Sequence, residues 1–367
     1  MTFSINRDVL LKPLSAVTSI VEKRHTLPIL SNILIEANEQ QLTLTATDLE
    51  MQISLIIAID SNVTLNTTLS ARKLLDICRS LPESSNINLI TTDNRITLKA
   101  GKSRFNLQTL PAADYPLMTK VNNLNTLQIN IAQNKLKQIL KQVEFAMAQQ
   151  DIRYYLNGLL VEVNDNILSV VGTDGHRLSF TSTEITKSYN KQEFILPRKT
   201  VIELIKLLDD SEHEVSIEIS QAQVNFSFSD IRLISKVIDG KFPDYNRVIP
   251  KNHQNSFVVN RVSILTAMQR ASILSNEKYR GIRMVLNENS LRMISTNSEQ
   301  EEAEEELEIN YKQDALDIGF NVTYMMDVLN NINCANVIFS FADANSSCLV
   351  TVAEDPNYKY VVMPMRI

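Results

Sequence analysis

The sequence predicts an α+β fold made of three repeats of one domain, each with helices on one face of antiparallel sheets. Two observations carry this reading. First, a strand-like run ending in a polar turn occurs three times. Leu42–Ile53 passes through Thr47-Asp48, Val170–Phe180 through Thr173-Asp174-Gly175-His176-Arg177, and Leu291–Glu301 through Thr296-Asn297. Asp48, Asp174 and Asn297 are separated by 126 and 123 residues, and a near-constant period marks an internal repeat. Second, each interval reads helix, strands, helix, strands, without the strict alternation that builds parallel sheets. A chain of 367 residues is long for one domain and accommodates three of about 120. The repeats are expected at residues 1–122, 123–252 and 253–367, with short linkers at Asn122–Asn125 and Pro250–Asn255.

In the first repeat, Leu10, Leu14, Val17 and Val21 lie at helical spacing within Arg7–Arg24, although Pro13 removes one backbone bond. Strands are expected at Ile29–Glu36, Gln41–Thr47 and Gln52–Ile59. Ser70 caps a second helix that carries Ala71, Leu74, Leu75 and Cys78 and stops at Pro82. Strands Ile87–Thr91, Arg95–Ala100 and Arg104–Thr109 follow. In the second repeat, strand Thr126–Ile131 leads into a helix with Leu136, Ile139, Leu140, Val143 and Met147. Strands Leu159–Val163, Leu168–Gly172 and Leu178–Ser182 precede a helix with Val201, Leu204, Ile205 and Leu208. Strands Val215–Ile219, Gln223–Ser227 and Ile231–Val237 end the repeat. The third has a helix with Ile264, Ala267, Met268 and Ala271, strands Arg283–Leu286, Leu291–Ser295 and Glu305–Ile309, and a helix with Val322, Met325, Met326 and Leu329. Strands Val337–Phe341, Ser347–Val352 and Tyr360–Met363 finish the chain.

Composition narrows the function. With 44% hydrophobic and 21% charged residues the chain is globular. Seven glycines, and neither GxGxxG nor GxxxxGK[ST], argue against a Gly-rich phosphate loop, and no cofactor is expected. Cys78, Cys334 and Cys348 are few, odd in number and unpaired in spacing, which fits a reducing compartment and argues against zinc. No apolar run approaches the ~18 residues of a membrane helix, so a cytoplasmic protein without membrane contact is expected.

Net charge is −6, but its distribution matters more. The helical stretches Asn6–Arg24, Ser70–Pro82, Ile131–Gln150, Pro197–Leu208 and Asn260–Ser275 each sum to +2, and Phe320–Asn333 to −1. Cationic helices at equivalent positions of an acidic body would form one wall that attracts a phosphate backbone without reading bases. Glu299–Glu308 contains seven glutamates, and Lys73, Arg95, Lys99, Lys102 and Arg104 make a basic counterpart in the first repeat. Ends of opposite charge can close head-to-tail into a ring.

Asp174, His176 and Ser179 imitate a catalytic group. Residues of one turn rarely provide that geometry, there is no GxSxG, and four histidines form no metal-ligand pair, so an enzyme is not expected. A turn with a capping Asp and a left-handed glycine is the simpler account, and a binding surface is the other. Phe242–Val248 and Val361–Ile367 mix apolar residues with Pro and Arg, and the second adds Met, which suits a site that accepts several partners. A protein-only repeat scaffold is the alternative; it would not be retained on circular DNA.

The Thr173–Arg177 motif, with Thr26–Leu30, Thr47–Met51, Arg104-Phe105, Thr109–Asp114, Asp151–Gly158, Asp239–Tyr245, Ile273–Arg280, Glu299–Glu305, Gly319–Val322 and Val361–Arg366, resembles the bacterial DNA polymerase III beta subunit family, the replicative sliding clamps, along the whole chain. The resemblance implies three clamp domains per chain and a head-to-tail homodimer forming a six-domain ring. Double-stranded DNA would thread that ring without sequence preference. It implies a pocket between the second and third domains for short peptides of the clamp loader, the replicative polymerase catalytic subunit, translesion polymerases, mismatch repair and ligase proteins. By matching blocks the pocket would use Leu156, Thr173, Gly175, His176, Arg177, Leu178, Pro243, Arg247, Val248, Asn321, Tyr324, Ser347, Val361, Met363, Pro364 and Met365. DNA would be met by Arg24, Gln150, Tyr154, Tyr155 and Lys199. The interface would set Phe105 and Leu107 against Ile273 and Leu274, and Lys73, Arg95, Lys102 and Arg104 against Glu301, Glu302, Glu304 and Glu305. Such a ring tethers a polymerase by topology rather than by catalysis.

Overall fold

The computed structural model describes residues 2–22, 27–60, 63–92, 94–119, 127–220, 222–251 and 253–366. The first repeat folds as β1 (Thr2–Asn6), α1 (Arg7–Thr18), β2 (Asn32–Asn38), β3 (Gln41–Thr47), β4 (Met51–Ala58), β5 (Leu65–Ser70), α2 (Ala71–Ser80), β6 (Asn86–Thr92), β7 (Arg95–Ala100) and β8 (Ser103–Gln108). The second gives β9 (Leu127–Ala132), α3 (Gln133–Lys141), β10 (Gly158–Thr173), β11 (Arg177–Pro197), α4 (Arg198–Leu207), β12 (Glu214–Ile219), β13 (Gln223–Phe228) and β14 (Ile231–Lys236). The third gives β15 (Asn255–Asn260), α5 (Arg261–Ala271), β16 (Gly281–Asn287), β17 (Ser290–Thr296), β18 (Glu302–Glu308), β19 (Leu316–Asn321), α6 (Val322–Asn331), β20 (Asn336–Phe341), β21 (Cys348–Val352) and β22 (Asp355–Val362).

Each of these six helices follows a strand directly. The sequence reading found that strand before α3 alone and missed β1, β5, β15 and β19. These strands are five or six residues long, and their pairing partners lie far along the chain, as where β1 pairs with β6 and β15 with β20. Asparagines at the strand–helix junctions cap three of the helices. Asn6 accepts from the Asp8 amide, Asn260 from the Ser263 amide, and Asn321 from the Thr323 and Tyr324 amides.

Three helix ends differ from expectation. α1 runs through Pro13 but stops at Thr18 rather than Arg24. Burial of Leu10, Leu14 and Val17 offsets the bond that Pro13 removes. α3 stops at Lys141, short of the expected Met147, because side chains of β11 and α4 take the carbonyls beyond it. Ser179 Oγ donates to Gln142 O at 2.7 Å, Arg177 Nη2 to Phe145 O at 2.6 Å, and Arg198 Nη1 to Met147 O at 3.4 Å. α5 ends at Ala271 and continues as a short 3-10 turn. β10 is also one strand instead of two, and β11 runs 21 residues instead of five. Its stretch Thr183–Gln192 is mostly polar and gives no alternation to read, yet Ile167 still pairs with Glu184 and Asp165 with Tyr189.

Neighbouring strands in all four sheets are antiparallel. The chain divides into two compact units, Met1–Lys135 with Ile202–Val237 and Leu136–Val201 with Ile238–Ile367. The first holds the sheets β1-β6-β7-β8 and β5-β2-β3-β4-β14-β13-β12-β9. The second holds β18-β17-β16-β19 and β10-β11-β22-β21-β20-β15. In the second unit one core gathers Met268, Phe320 and Met325, with Phe257 stacked on Phe339 at 5.3 Å. A smaller one, with Leu156, Leu178, Phe242, Tyr245 and Val361, lies at the end of β11 that begins at Arg177.

Candidate functional site

The three repeated turns each have an Asp or Asn side chain that accepts from backbone amides, and the first two add a threonine hydroxyl bond. Thr47 Oγ1 donates to Met51 O, and the Asp48 carboxylate accepts from the Glu50 and Met51 amides. Thr173 Oγ1 donates to Arg177 O, and Asp174 accepts from the His176 and Arg177 amides at 2.9 and 3.0 Å. Asn297 accepts from the Glu299 and Glu301 amides. Each turn has one left-handed residue, Leu49 (φ 75°), Gly175 (φ 89°) and Gln300 (φ 65°). The middle turn alone uses glycine, which the left-handed region favours. A Cβ on Gly175 would meet Arg153 Nη1 at 2.9 Å.

That turn opens onto a cavity of about 430 Å³ within the second unit. Of the expected pocket residues, Leu156, Thr173, Gly175, His176, Arg177, Leu178, Pro243, Arg247, Val248, Ser347, Val361 and Met363 line it. Asn321, Tyr324, Pro364 and Met365 do not. Asn321 caps α6, the Tyr324 ring lies under Arg177, and the Met365 amide donates to Gly319 O at 2.8 Å. Sequence reasoning missed Arg153, Tyr155, Phe242 and Tyr245, which complete the lining. The signal for Phe242 and Tyr245 lay in the Phe242–Val248 segment. For Arg153, only the fold gives it.

The walls are apolar and the charges are internally neutralised. Arg153 is held by Asp151 through two bonds of 3.0 and 2.9 Å and donates to Asp174 O. The Arg153 side-chain bonds, and behind them the Arg153 backbone amide at 2.8 Å, hold the Asp151 carboxyl down at about 2. Arg177 donates to Asp174 Oδ2 at 3.1 Å and to Asp327, and its guanidinium carbon lies 4.5 Å from the Tyr324 ring centroid. Burial pulls the Arg177 pKa down, but Tyr360, Asp327 and Asp174 outweigh it and raise it, so this is a permanent cation. Arg247 pairs with Asp244 at 2.9 Å. Tyr245 donates to Glu162, and burial, with Glu162, pushes its phenol up to about 12. Asp174, His176 and Ser179 form no relay: the Asp174 carboxylate binds backbone amides and Arg177, and Ser179 is buried with its hydroxyl on Gln142 O.

Gln150, Tyr154 and Tyr155 share one segment. Gln150 is exposed with φ 57°, Tyr154 is exposed with its ring edge-on to Tyr155, and Tyr155 also borders the cavity. Lys199 is half-buried in α4. Arg24 lies outside the described residues. Apart from Lys73, the expected interface residues sit on or beside two sheet edges. Arg104, Phe105 and Leu107 are on β8, with Arg95 on β7, Lys102 in the turn between them and Lys73 on α2. Glu302, Glu304 and Glu305 are on β18, Glu301 just before it, and Ile273 and Leu274 beyond α5. Ile273 is 75% exposed. Glu304 and Glu305 already have partners in the chain, Arg292 and Arg270, each at 2.6 Å.

Residues 1–119, 130–244 and 246–366 match the N-terminal, central and C-terminal domains of the DNA polymerase III beta subunit. The chain belongs to this family of sliding clamps. Full-length relatives include the beta sliding clamps of Pseudomonas aeruginosa (45% identity over 369 residues) and Escherichia coli K12 (41% over 368), each with 100% of both chains covered. Crystal structures of the Pseudomonas aeruginosa subunit align over 100% of both chains, one with TM-score 0.96 at 44% identity and one, bound to griselimycin, with 0.97 at 45%. The chain is thus a sliding clamp of DNA replication, a processivity factor and not an enzyme. No helix among the described residues is long and apolar enough to cross a membrane.

Proposed function

We propose that the clamp domains span residues 1–122, 123–252 and 253–367, and that two copies close head-to-tail through β8 and β18 into a ring. Duplex DNA threads this ring, and the ring tethers polymerase and repair proteins through short peptides seated in the cavity beside Thr173–Arg177. The observation that carries the peptide reading is the cavity itself: about 430 Å³, apolar-walled, with its arginines each matched to an aspartate. An apolar peptide side chain fits such walls better than a charged one. The open edges support the ring, since β8 carries Arg104 and β18 a row of glutamates, and unpaired strands of opposite charge can extend one sheet across two copies. Cationic α2, α3, α4 and α5 support weak, sequence-blind phosphate contacts. Gln150, Tyr154, Tyr155, Lys199 and Arg24 are the proposed DNA contacts. Clamp loader, replicative polymerase, translesion polymerases, mismatch repair and ligase proteins are the proposed partners, met in the cytoplasm.

Retention on a nicked circular plasmid, loaded with clamp loader and ATP, tests this function. Retention lost when the circle is cut once means topological encirclement. Retention that survives the cut, or none beside a control clamp that loads, rejects the ring.

A further inference from the structure

We propose that Asp327, on α6 and outside the cavity lining, is a positioning residue that shapes the cavity through Arg177. The inference rests on reading the cavity as the ligand site. The Arg177 side chain is 10% exposed, and the Asp174 carboxylate, the Asp327 carboxylate and Phe145 O converge on its guanidinium, with the Tyr360 hydroxyl beside them. Asp174 is the pivot. One carboxylate oxygen binds the amides of His176 and Arg177, and the other binds Arg177 Nε. Where the guanidinium sits therefore decides how Asp174 holds the turn that presents Gly175 and His176 to the cavity. Asp327 holds the far side of that guanidinium. The Tyr324 ring lies against it, Tyr360 donates to Tyr324 O at 2.9 Å, and Arg177 pairs with Val362 on β22. α6, β22 and the turn thus form a closed circuit of contacts with Arg177 at its centre. Without the Asp327 charge, Nη1 loses its ionic acceptor, and the cation is drawn toward Asp174, in competition with the amides that the same carboxylate holds.

Calorimetric titration of the full chain with griselimycin, the compound bound to the similar Pseudomonas clamp, tests this. Asp327→Asn weakens binding about tenfold, the worth of one charge-assisted hydrogen bond. Asp327→Glu, which keeps the charge, restores most of it. In an Arg177→Met background Asp327→Asn has no further effect, because the path through Arg177 is already cut. A merely stabilising Asp327 would lower the melting temperature in both backgrounds and leave the affinity of the folded protein unchanged; that result overturns the inference, as would additive losses. A ligand-free readout separates this from the ligand-site reading. The His176 and Gly175 amide resonances shift in Asp327→Asn, and unmoved resonances overturn the inference whatever griselimycin does. Failure of the unsubstituted chain to bind griselimycin, with those resonances moving, counts against the ligand-site reading alone.

Discussion

The amide of Met363 donates to the carbonyl of His176 at 2.9 Å, tying the C-terminal end of β22 to the middle turn. This bond is backbone to backbone, so it leaves both side chains free to face the cavity they line. Met363 is 47% exposed, and removal of its side chain costs the fold little, within about 0.5 kcal/mol. A ligand that covers it loses roughly 1 kcal/mol of apolar contact in Met363→Ala, about fivefold in affinity. Griselimycin titration and thermal unfolding measured together check this. An unchanged affinity would remove Met363 from the site.

Gly175 combines a left-handed backbone with a side chain lying over it, and Gly101 supplies the comparison. At Gly101 φ is 55° and nothing stands within 4 Å of an added Cβ. Gly101→Ala therefore reports backbone strain alone, about 1 kcal/mol. Gly175→Ala carries that strain and also displaces Arg153 from the cavity wall. Both variants should unfold at similarly reduced denaturant concentrations, and Gly175→Ala alone should bind griselimycin more weakly. Equal affinities would mean that Arg153 has no part in the cavity.

The Asp151–Arg153 pair sets a pH window. The Asp151 carboxyl is depressed from 3.8 to about 2, chiefly by the side-chain bonds from Arg153. A depressed carboxyl contributes its stabilisation in full above the unfolded value near 3.8 and loses it as pH falls toward 2. Carbon-13 titration of the Asp151 carboxyl should give a midpoint near 2, moving up toward 3.8 in Arg153→Ala. A midpoint already near 3.8 in the unsubstituted protein would show the pair to be absent in solution.

Ile273 is three-quarters exposed beside the open edge at β18, and in the ring proposed above the partner copy's edge would cover it. Ile273→Ser should leave the circular dichroism spectrum unchanged and weaken self-association roughly tenfold in sedimentation velocity. Unaltered association would exclude this edge from the interface between copies.

Much of this was legible locally. β3 and β7 fall on the stretches whose alternation announced them, and α2 buries Ala71, Leu74, Leu75 and Cys78 as their spacing demands. The Thr-Asp turns were legible because their bonds run between residues two to four apart. What failed depends on distant residues. β1, β5, β15 and β19 exist through partners far along the chain, and α3 ends where Ser179 and Arg177 take carbonyls beyond its last turn. The polar length of β11 is held by register with β10 rather than by any pattern of its own.

The sequence by itself determined the repeat, the antiparallel α+β class, the turn chemistry and the family, since these are written in short-range spacing and in blocks of consecutive residues. Only the tertiary structure decided that Arg153, Tyr155, Phe242 and Tyr245 border the same cavity as His176 and Met363, and that Asp327 reaches Arg177 from α6. Those juxtapositions come from burying apolar faces of segments far apart in the chain, 150 residues for Arg177 and Asp327 and more than that for Arg153 and Met363, and no local pattern encodes them.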